Sequence, residues 1–358
     1  MDAATSRDNS ADPAAPLGDP PGLDVNRLRE YLDAHCPGVL DGPLTAVVIA
    51  GGRSNLTYRV SGASGSIVLR RPPLAHVLPT AHDMSREYTV IAALHPTGFP
   101  VPDPLHLCTD KDVIGAPFYL MSYVDGLILR DAEDIAALSI AQATRSSELL
   151  LDTLAALHAT DPVAIGLGDF GRPEGYLERQ VRRWHQQWEA SKTRELETLE
   201  EVAAKLRETV PTGGRTAIVH GDFRLDNCMY DKDLSRILAV LDWEMATLGD
   251  PLADLGLMVV YTELADQGLA PTQPRIGPEQ GFLTSSELID RYADQAQSGS
   301  PIDQIGWYVA LGYYKLAIIS EGIHARYLLG MTVGPGFDQM GERVPALIDL
   351  AQRSLGKA

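Results

Sequence analysis

Between residues 216 and 256 short apolar runs alternate with tight polar clusters, and this alternation restricts the fold more than any other feature of the chain. Residues 216–219 (TAIV) stop at His220, and the polar cluster 220–227 (HGDFRLDN) follows. Residues 228–230 (CMY) read as a short strand, 231–235 (DKDLS) as a turn, and 236–241 (RILAVL) as a second strand running into Asp242, Trp243 and Glu244. A hairpin of this kind brings its two ends together. Asp222 and Asn227 precede the first strand and Asp242 follows the second, so all three are expected at one end, within reach of one ion. A carboxylate and an amide carbonyl are hard oxygen donors. They suit Mg2+, which takes only one or two protein carboxylates and completes its shell with phosphates and water. A further carboxylate that the metal does not need can accept a proton from an attacking hydroxyl.

Charge narrows the partners. The chain of 358 residues has a net charge of −18, which argues against nucleic acid and against anionic membrane surfaces. No apolar run approaches the ~20 residues needed to span a bilayer, so no membrane is expected. The first 24 residues carry five Asp and one Arg among Ala and Pro, with no apolar core of a secretion signal. Residues 1–23 are expected to be a disordered tail. Cys36, Cys108 and Cys228 are too few and too scattered for a disulfide framework or a zinc site, which points to a cytoplasmic, reduced protein.

The pattern changes character along the chain. Residues 24–35 read as an amphipathic helix, and 44–73 as three strands joined by Gly/Ser turns. Residues 85–96 read as a helix ended by Pro96, and 117–126 as another strand. Beyond that point the periodicity is helical. Leu177, Val181, Trp184 and Trp188 share one stripe, and from Pro251 onward the chain is helical again. The expected fold is α+β in two lobes: a β-rich N-lobe over 24–124 and a mainly helical C-lobe over 125–358. Ligands are expected in the cleft between them.

The spacing His220-Gly221-Asp222-x4-Asn227, then Asp242-Trp243-Glu244, then Gly249-Asp250-Pro251-x2-Asp254-Leu255 resembles the aminoglycoside phosphotransferase and choline kinase group. That group has a protein-kinase-like fold. The resemblance covers roughly residues 25–345. It implies Asp222 as catalytic base, Asn227 as a metal ligand and Asp242 as the principal metal ligand. Arg224 would stand where protein kinases carry a lysine on the γ-phosphate. His220 is expected to be structural, Asp250 to cap the helix starting at Pro251, and Asp254 to brace the catalytic loop.

On the nucleotide side, Gly51 and Gly52 permit close backbone approach to phosphates, with Ser54 and Asn55 at the tip of the same turn. The order of elements places Arg70 where a kinase has its phosphate-binding lysine. The sequence departs from the pattern there, although Arg keeps the charge and can donate two parallel hydrogen bonds. Glu87, Val90, Ile91 and Leu94 fall on one stripe, so the Glu87 carboxylate needs a partner, and the kinase pattern offers Arg70. Residues 118–126 match the hinge, with Met121 lining the adenine pocket and Ser122 to Val124 offering backbone groups.

The sequence is similar, within the group, to the kinase domains fused to acyl-CoA dehydrogenases, with which it shares residues 68–73 (VLRRPP). The resemblance implies an ATP- and Mg2+-dependent phosphotransferase acting on a hydroxyl of a small molecule. The resemblance further implies, as the acceptor, a hydroxyacyl-CoA, or an aminoglycoside or other amino or sugar alcohol. Arg179, Arg182 and Arg183 are either a solvated helix face or a patch for an anionic acceptor. Tyr313, Lys315 and Arg326 are packing residues or ligands. The competing reading is a nucleotide-binding pseudokinase, for which Arg70 is the best support.

Overall fold

The computed structural model describes residues 19–49, 55–74, 83–212, 214–269, 275–295, 302–331 and 336–356. The chain divides into two compact units, one of residues 1–95 and 102–124, the other of 96–101 and 125–358.

Among the described residues, the first unit is a five-stranded antiparallel sheet with two α-helices. Helix α1 (Val25–His35) starts where the Asp24 carboxylate accepts the Arg27 N–H at 2.9 Å. Its Val25, Leu28 and Leu32 are buried on one stripe. Strands β1 (Thr45–Val48), β2 (Leu56–Gly62) and β3 (Gly65–Arg71) form a meander. Helix α2 (Met84–Leu94) begins at Asp83, which accepts from the Ser85 and Arg86 amides. Strands β4 (Pro104–Cys108) and β5 (Phe118–Ser122) complete the order β1-β2-β3-β5-β4. Tyr58, Val60, Leu69, Phe118 and Leu120 fill the core against Leu28 and Leu32. Strand β4 was not anticipated. It is short, begins with a proline and is half-buried at the sheet edge, so it lacks a clear alternation.

Residues 19–23 differ from the expected tail. Leu23 is buried, Tyr58 Oη donates to Pro21 O at 2.6 Å, and the Arg71 guanidinium donates to Gly22 O. The reason is local: Leu23 completes the apolar cluster that α1 begins.

The second unit is mainly helical. Helices α3 (Ala132–Ala136), α4 (Ile140–Ala159), α5 (Tyr176–Ser191) and α6 (Glu197–Glu208) lead to four short strands. These are β6 (Ala217–Val219), β7 (Cys228–Tyr230), β8 (Ile237–Val240) and β9 (Thr247–Gly249), paired β6 with β9 and β7 with β8. Helices α7 (Leu252–Asp266), α8 (Ser285–Gln295), α9 (Ile305–Leu328) and α10 (Met340–Leu355) follow. Helix α9 is buried on nearly every side over residues 307–314, as the central helix of a bundle must be. Gly256 lets α7 approach it, since a Cβ there would stand 2.6 Å from the Tyr308 carbonyl carbon. No described helix is long and apolar enough to cross a membrane.

Candidate active site

The β7–β8 hairpin brings the expected residues together. Cys228 pairs with Val240, and the Leu241 N–H donates to Asn227 O at 2.8 Å, so Asn227 and Asp242 flank the same end. Asn227 Nδ2 donates to the Asp222 carbonyl at 2.9 Å and to Asp222 Oδ2 at 3.2 Å. These bonds fix the Asp222 side chain relative to the hairpin and leave the Asn227 amide oxygen as the atom of that side chain that could face a cation. Asp242 adopts a left-handed backbone, φ 65° and ψ 64°. Aspartate tolerates this region better than most residues, and strain of this kind collects at functional loops.

The loop carrying Asp222 is held from below. Buried Asp254 accepts the His220 N–H at 2.7 Å and the Gly221 N–H at 2.8 Å, one on each oxygen. His158 Nε2 lies 3.3 Å from Asp254 Oδ2, and Tyr292 Oη lies 2.8 Å from His158 Nδ1. Burial pushes the Asp254 carboxyl up, but His158 and the loop amides outweigh it and hold the group below the usual carboxylate range. His220 has a structural place, with Nε2 3.0 Å from Leu241 O and its ring against Phe223 and Trp243. Asp250 accepts the Leu252 N–H at 3.0 Å and the Tyr308 hydroxyl at 2.8 Å, and it caps the first turn of α7.

Two groups that the sequence left without a role complete the loop. Tyr261 of α7 donates its hydroxyl to Asp222 Oδ1 at 2.6 Å. Asp226 pairs with Arg224 through both carboxylate oxygens. The Arg224 guanidinium also lies over the Tyr261 ring, 5.1 Å from its centroid. Burial works against the Arg224 charge, but Asp226 and Asp222 more than offset it and hold the guanidinium ionised. Arg224 is therefore committed within its own loop, unlike the phosphate-reaching side chain expected from its position. Lys315 of α9 comes to the same loop, its Nζ donating to Gly221 O at 2.9 Å.

In the first unit, strand register explains the Glu87 site. Arg70 on β3 stands directly opposite Tyr119 on β5. Both reach the Glu87 carboxylate, which is 1% exposed. Arg70 Nε lies 2.8 Å from Oε2, and Tyr119 Oη donates to the same oxygen at 3.0 Å. Asn55 Nδ2 donates to Oε1 at 2.8 Å. The expected partnership of Arg70 and Glu87 is present. Asn55, however, is buried at the entry to β2 with its amide on Glu87, so it does not sit at a loop tip. Gly51, Gly52 and Ser54 lie outside the described residues.

Met121 is buried on β5, opposite Val68. The Ser122 N–H donates to Asp103 O at 2.9 Å, and Ser122 Oγ accepts the Asp103 N–H at 2.8 Å. Ser122 has thus spent its amide at the sheet edge, against the expectation that it would offer it to a base. Val124 is half-buried at the end of the unit. The arginine cluster also resolves. Arg179 turns back to donate to the carbonyls of Glu174 and Arg172, closing the loop before α5, while Arg182 and Arg183 are exposed.

An Asp-x4-Asn loop on a short hairpin, followed by an aspartate in a left-handed turn, defines a phosphotransferase of the kinase-like class. The chain belongs to the phosphotransferase enzyme family, which matches residues 45–278. It is similar to acyl-CoA dehydrogenase family member 11 of Gallus gallus, 35% identical over 335 residues, covering 91% of this chain and 43% of that protein. The chain thus spans about two fifths of that curated relative. It is also similar to a solved candidate aminoglycoside phosphotransferase of Ralstonia eutropha, 30% identical with TM-score 0.81, covering 94% of this chain and 99% of that one. A spectinomycin phosphotransferase solved with ADP and spectinomycin shares the fold at TM-score 0.59 and 12% identity, covering 94% of this chain and 99% of that one. The α+β, kinase-like fold expected from the sequence is the fold found, and the family is one of phosphotransferases.

Proposed function

We propose that this chain transfers the γ-phosphoryl group of ATP to a hydroxyl of a small molecule. The observation that carries the reading is the convergence of Asp222, Asn227 and Asp242 at one end of the β7–β8 hairpin. Asp222 accepts the proton of the acceptor hydroxyl. The acceptor oxygen bonds to the γ-phosphorus, the bond from that phosphorus to the β–γ bridging oxygen breaks, and ADP leaves. Tyr261 and Asn227 hold the Asp222 carboxylate while this occurs. The Asn227 amide oxygen and the Asp242 carboxylate are a donor set that fits Mg2+. When bound, the ion neutralises charge on the nucleotide phosphates. Residues 24–124 form the nucleotide-binding part, with Gly51, Gly52, Ser54, Arg70, Met121 and Val124 contributing. Residues 125–358 carry catalysis and acceptor binding.

A hydroxyacyl-CoA is the acceptor we favour, because the relatives named for acyl-CoA dehydrogenase match this chain over most of its length. The pseudokinase reading rests on Arg70 in place of lysine. Against it, Arg70 keeps its pairing with the helix carboxylate of Glu87, as an intact kinase N-lobe would. Three free, buried thiols are in keeping with a cytoplasmic setting.

The test is incubation with Mg-ATP and a panel of hydroxyacyl-CoAs and aminoglycosides, with products followed by mass spectrometry. A phosphorylated acceptor is expected, together with loss of nucleotide affinity in Asp242→Ala. No turnover on any acceptor, with nucleotide affinity unchanged in that variant, contradicts the proposal.

A further inference from the structure

His185 and Glu189 stand four residues apart on α5, so their side chains lie on one face of that helix. Glu200 of α6 reaches the same place, and one ligand atom from each of the three lies within 4.8 Å of the other two. His185 Nε2 is 3.8 Å from Glu200 Oε2, too long for a hydrogen bond between them. Two carboxylates and an imidazole therefore converge without closing on one another. Carboxylates at such a separation repel, and a cation between them reverses the sign of that interaction.

Contacts outside the trio hold two of these groups in place. Trp188, buried on α5 beside His185, donates its indole N–H to Glu200 Oε1 at 3.0 Å, and the other oxygen, Oε2, is the one that approaches His185. His185 Nδ1 lies 3.3 Å from Tyr314 Oη of α9. A proton on Nδ1 directed at that hydroxyl leaves the Nε2 lone pair facing Glu200. An outer partner on the second ring nitrogen is the usual arrangement of a metal-binding histidine, because it fixes the tautomer and the ring. Glu189 is exposed, and Lys192 Nζ lies 3.1 Å from its Oε1. Lys192 also holds the Glu195 carboxylate at 3.1 Å, so it keeps a partner when Glu189 turns to an ion.

We infer that His185, Glu189 and Glu200 form a site for a divalent transition-metal ion, with Zn2+ the best match, that ties α5 to α6. One imidazole nitrogen and two carboxylate oxygens are the donor set of a Zn2+ site with three protein ligands and a water, whereas Mg2+ takes oxygen donors. The two carboxylates balance the charge of the ion. Ligand atoms around Zn2+ stand ~3.4 Å apart, so the trio contracts on binding. The exposed Glu189 and half-buried Glu200 side chains have the freedom to do so. The ion also strengthens the link from α5 to α9 that runs through His185 and Tyr314. The site shares no residue with the Asn227 and Asp242 donor set, and it does not rest on the reading of Asp222 as the base.

The test uses the chelator-treated full chain and isothermal titration with zinc chloride in a buffer that contains Mg2+. Wild type, His185→Gln, Glu189→Gln and Asp242→Asn are compared. Asp242→Asn reports any Zn2+ taken up at the proposed Mg2+ donor set. Glu189 is exposed, so its variant folds even if His185→Gln does not. Zn2+ is expected to bind wild type and Asp242→Asn alike, and to bind about tenfold or more weakly in Glu189→Gln and His185→Gln. It should raise the thermal unfolding temperature of wild type but not of Glu189→Gln. Co2+ in place of Zn2+ should quench tryptophan fluorescence in wild type, through Trp188 on Glu200, and this signal should weaken in both variants. No Zn2+ binding by wild type, loss of all binding in Asp242→Asn, or equal binding by wild type and Glu189→Gln overturns the site. Failure of the kinase reading has a different signature, since Zn2+ binding at α5 and α6 is independent of nucleotide.

Discussion

Tyr261 donates its hydroxyl to Asp222 Oδ1 across 2.6 Å, and the same ring carries the Arg224 guanidinium that Asp226 pins. The Asp222 carboxylate is thus oriented from α7 as well as from Asn227. Tyr261→Phe removes one hydrogen bond to a charged group without changing the shape of the site. Turnover is expected to fall about tenfold, with nucleotide affinity unchanged, which corresponds to about 1.4 kcal/mol. Steady-state kinetics check this. An unaltered turnover number would mean that the bond does not position Asp222.

Asp254→Asn should destabilise the second unit by about 3 kcal/mol, because an amide can offer only one acceptor oxygen to two buried loop amides. The pH dependence has a definite sign. The Asp254 carboxyl is held below its ordinary value despite burial, so its stabilisation is complete above about pH 4 and is lost as pH falls through the lower folded-state value. Urea unfolding of wild type and variant should differ by a constant amount from pH 6 to 8, and the gap should narrow below about pH 4. A gap that widens on acidification would contradict the assignment.

Arg70→Met leaves a nearly fully buried carboxylate without its cation and should cost about 3–5 kcal/mol. Glu87→Gln in the same chain should recover part of that loss, and Arg70→Lys should be the mildest of the three. A double-mutant cycle by denaturant unfolding measures the coupling. Additive effects would show that the two residues act independently.

Gly221→Ala tests the backbone of the loop itself. Its φ is 84°, and a Cβ would stand 2.8 Å from Met245 Cβ. About 2 kcal/mol of destabilisation follows from the left-handed conformation alone. Thermal unfolding and activity should both fall, and a neutral result would mean that the loop readjusts freely.

The hairpin was legible because its ends must meet, so residues before β7 and after β8 had to converge whatever surrounds them. Glu87 was legible because a carboxylate on an apolar stripe must find a partner. Tyr261 was not, since an aromatic residue inside an apolar helix reads as core until its hydroxyl is traced. Asp226 was unassigned because a pair formed across two residues leaves no periodic signal. Arg179, Arg182 and Arg183 looked alike in sequence, and only side-chain direction separates the first, which closes the loop before α5, from the other two, which are exposed. Lysine at 315 did carry a signal, a lone charge in an apolar run, but its target 94 residues away could not be read.

The central claim is that Asp222 transfers the proton while Asn227 and Asp242 hold the metal and nucleotide. Asp222→Asn separates these roles while keeping the side-chain shape. Mg-ATP affinity by titration calorimetry and phosphotransfer by mass spectrometry should be measured on the same preparation. The account predicts unchanged Mg-ATP affinity with phosphotransfer reduced at least a hundredfold. Loss of nucleotide binding, or phosphotransfer at the wild-type rate, would contradict it.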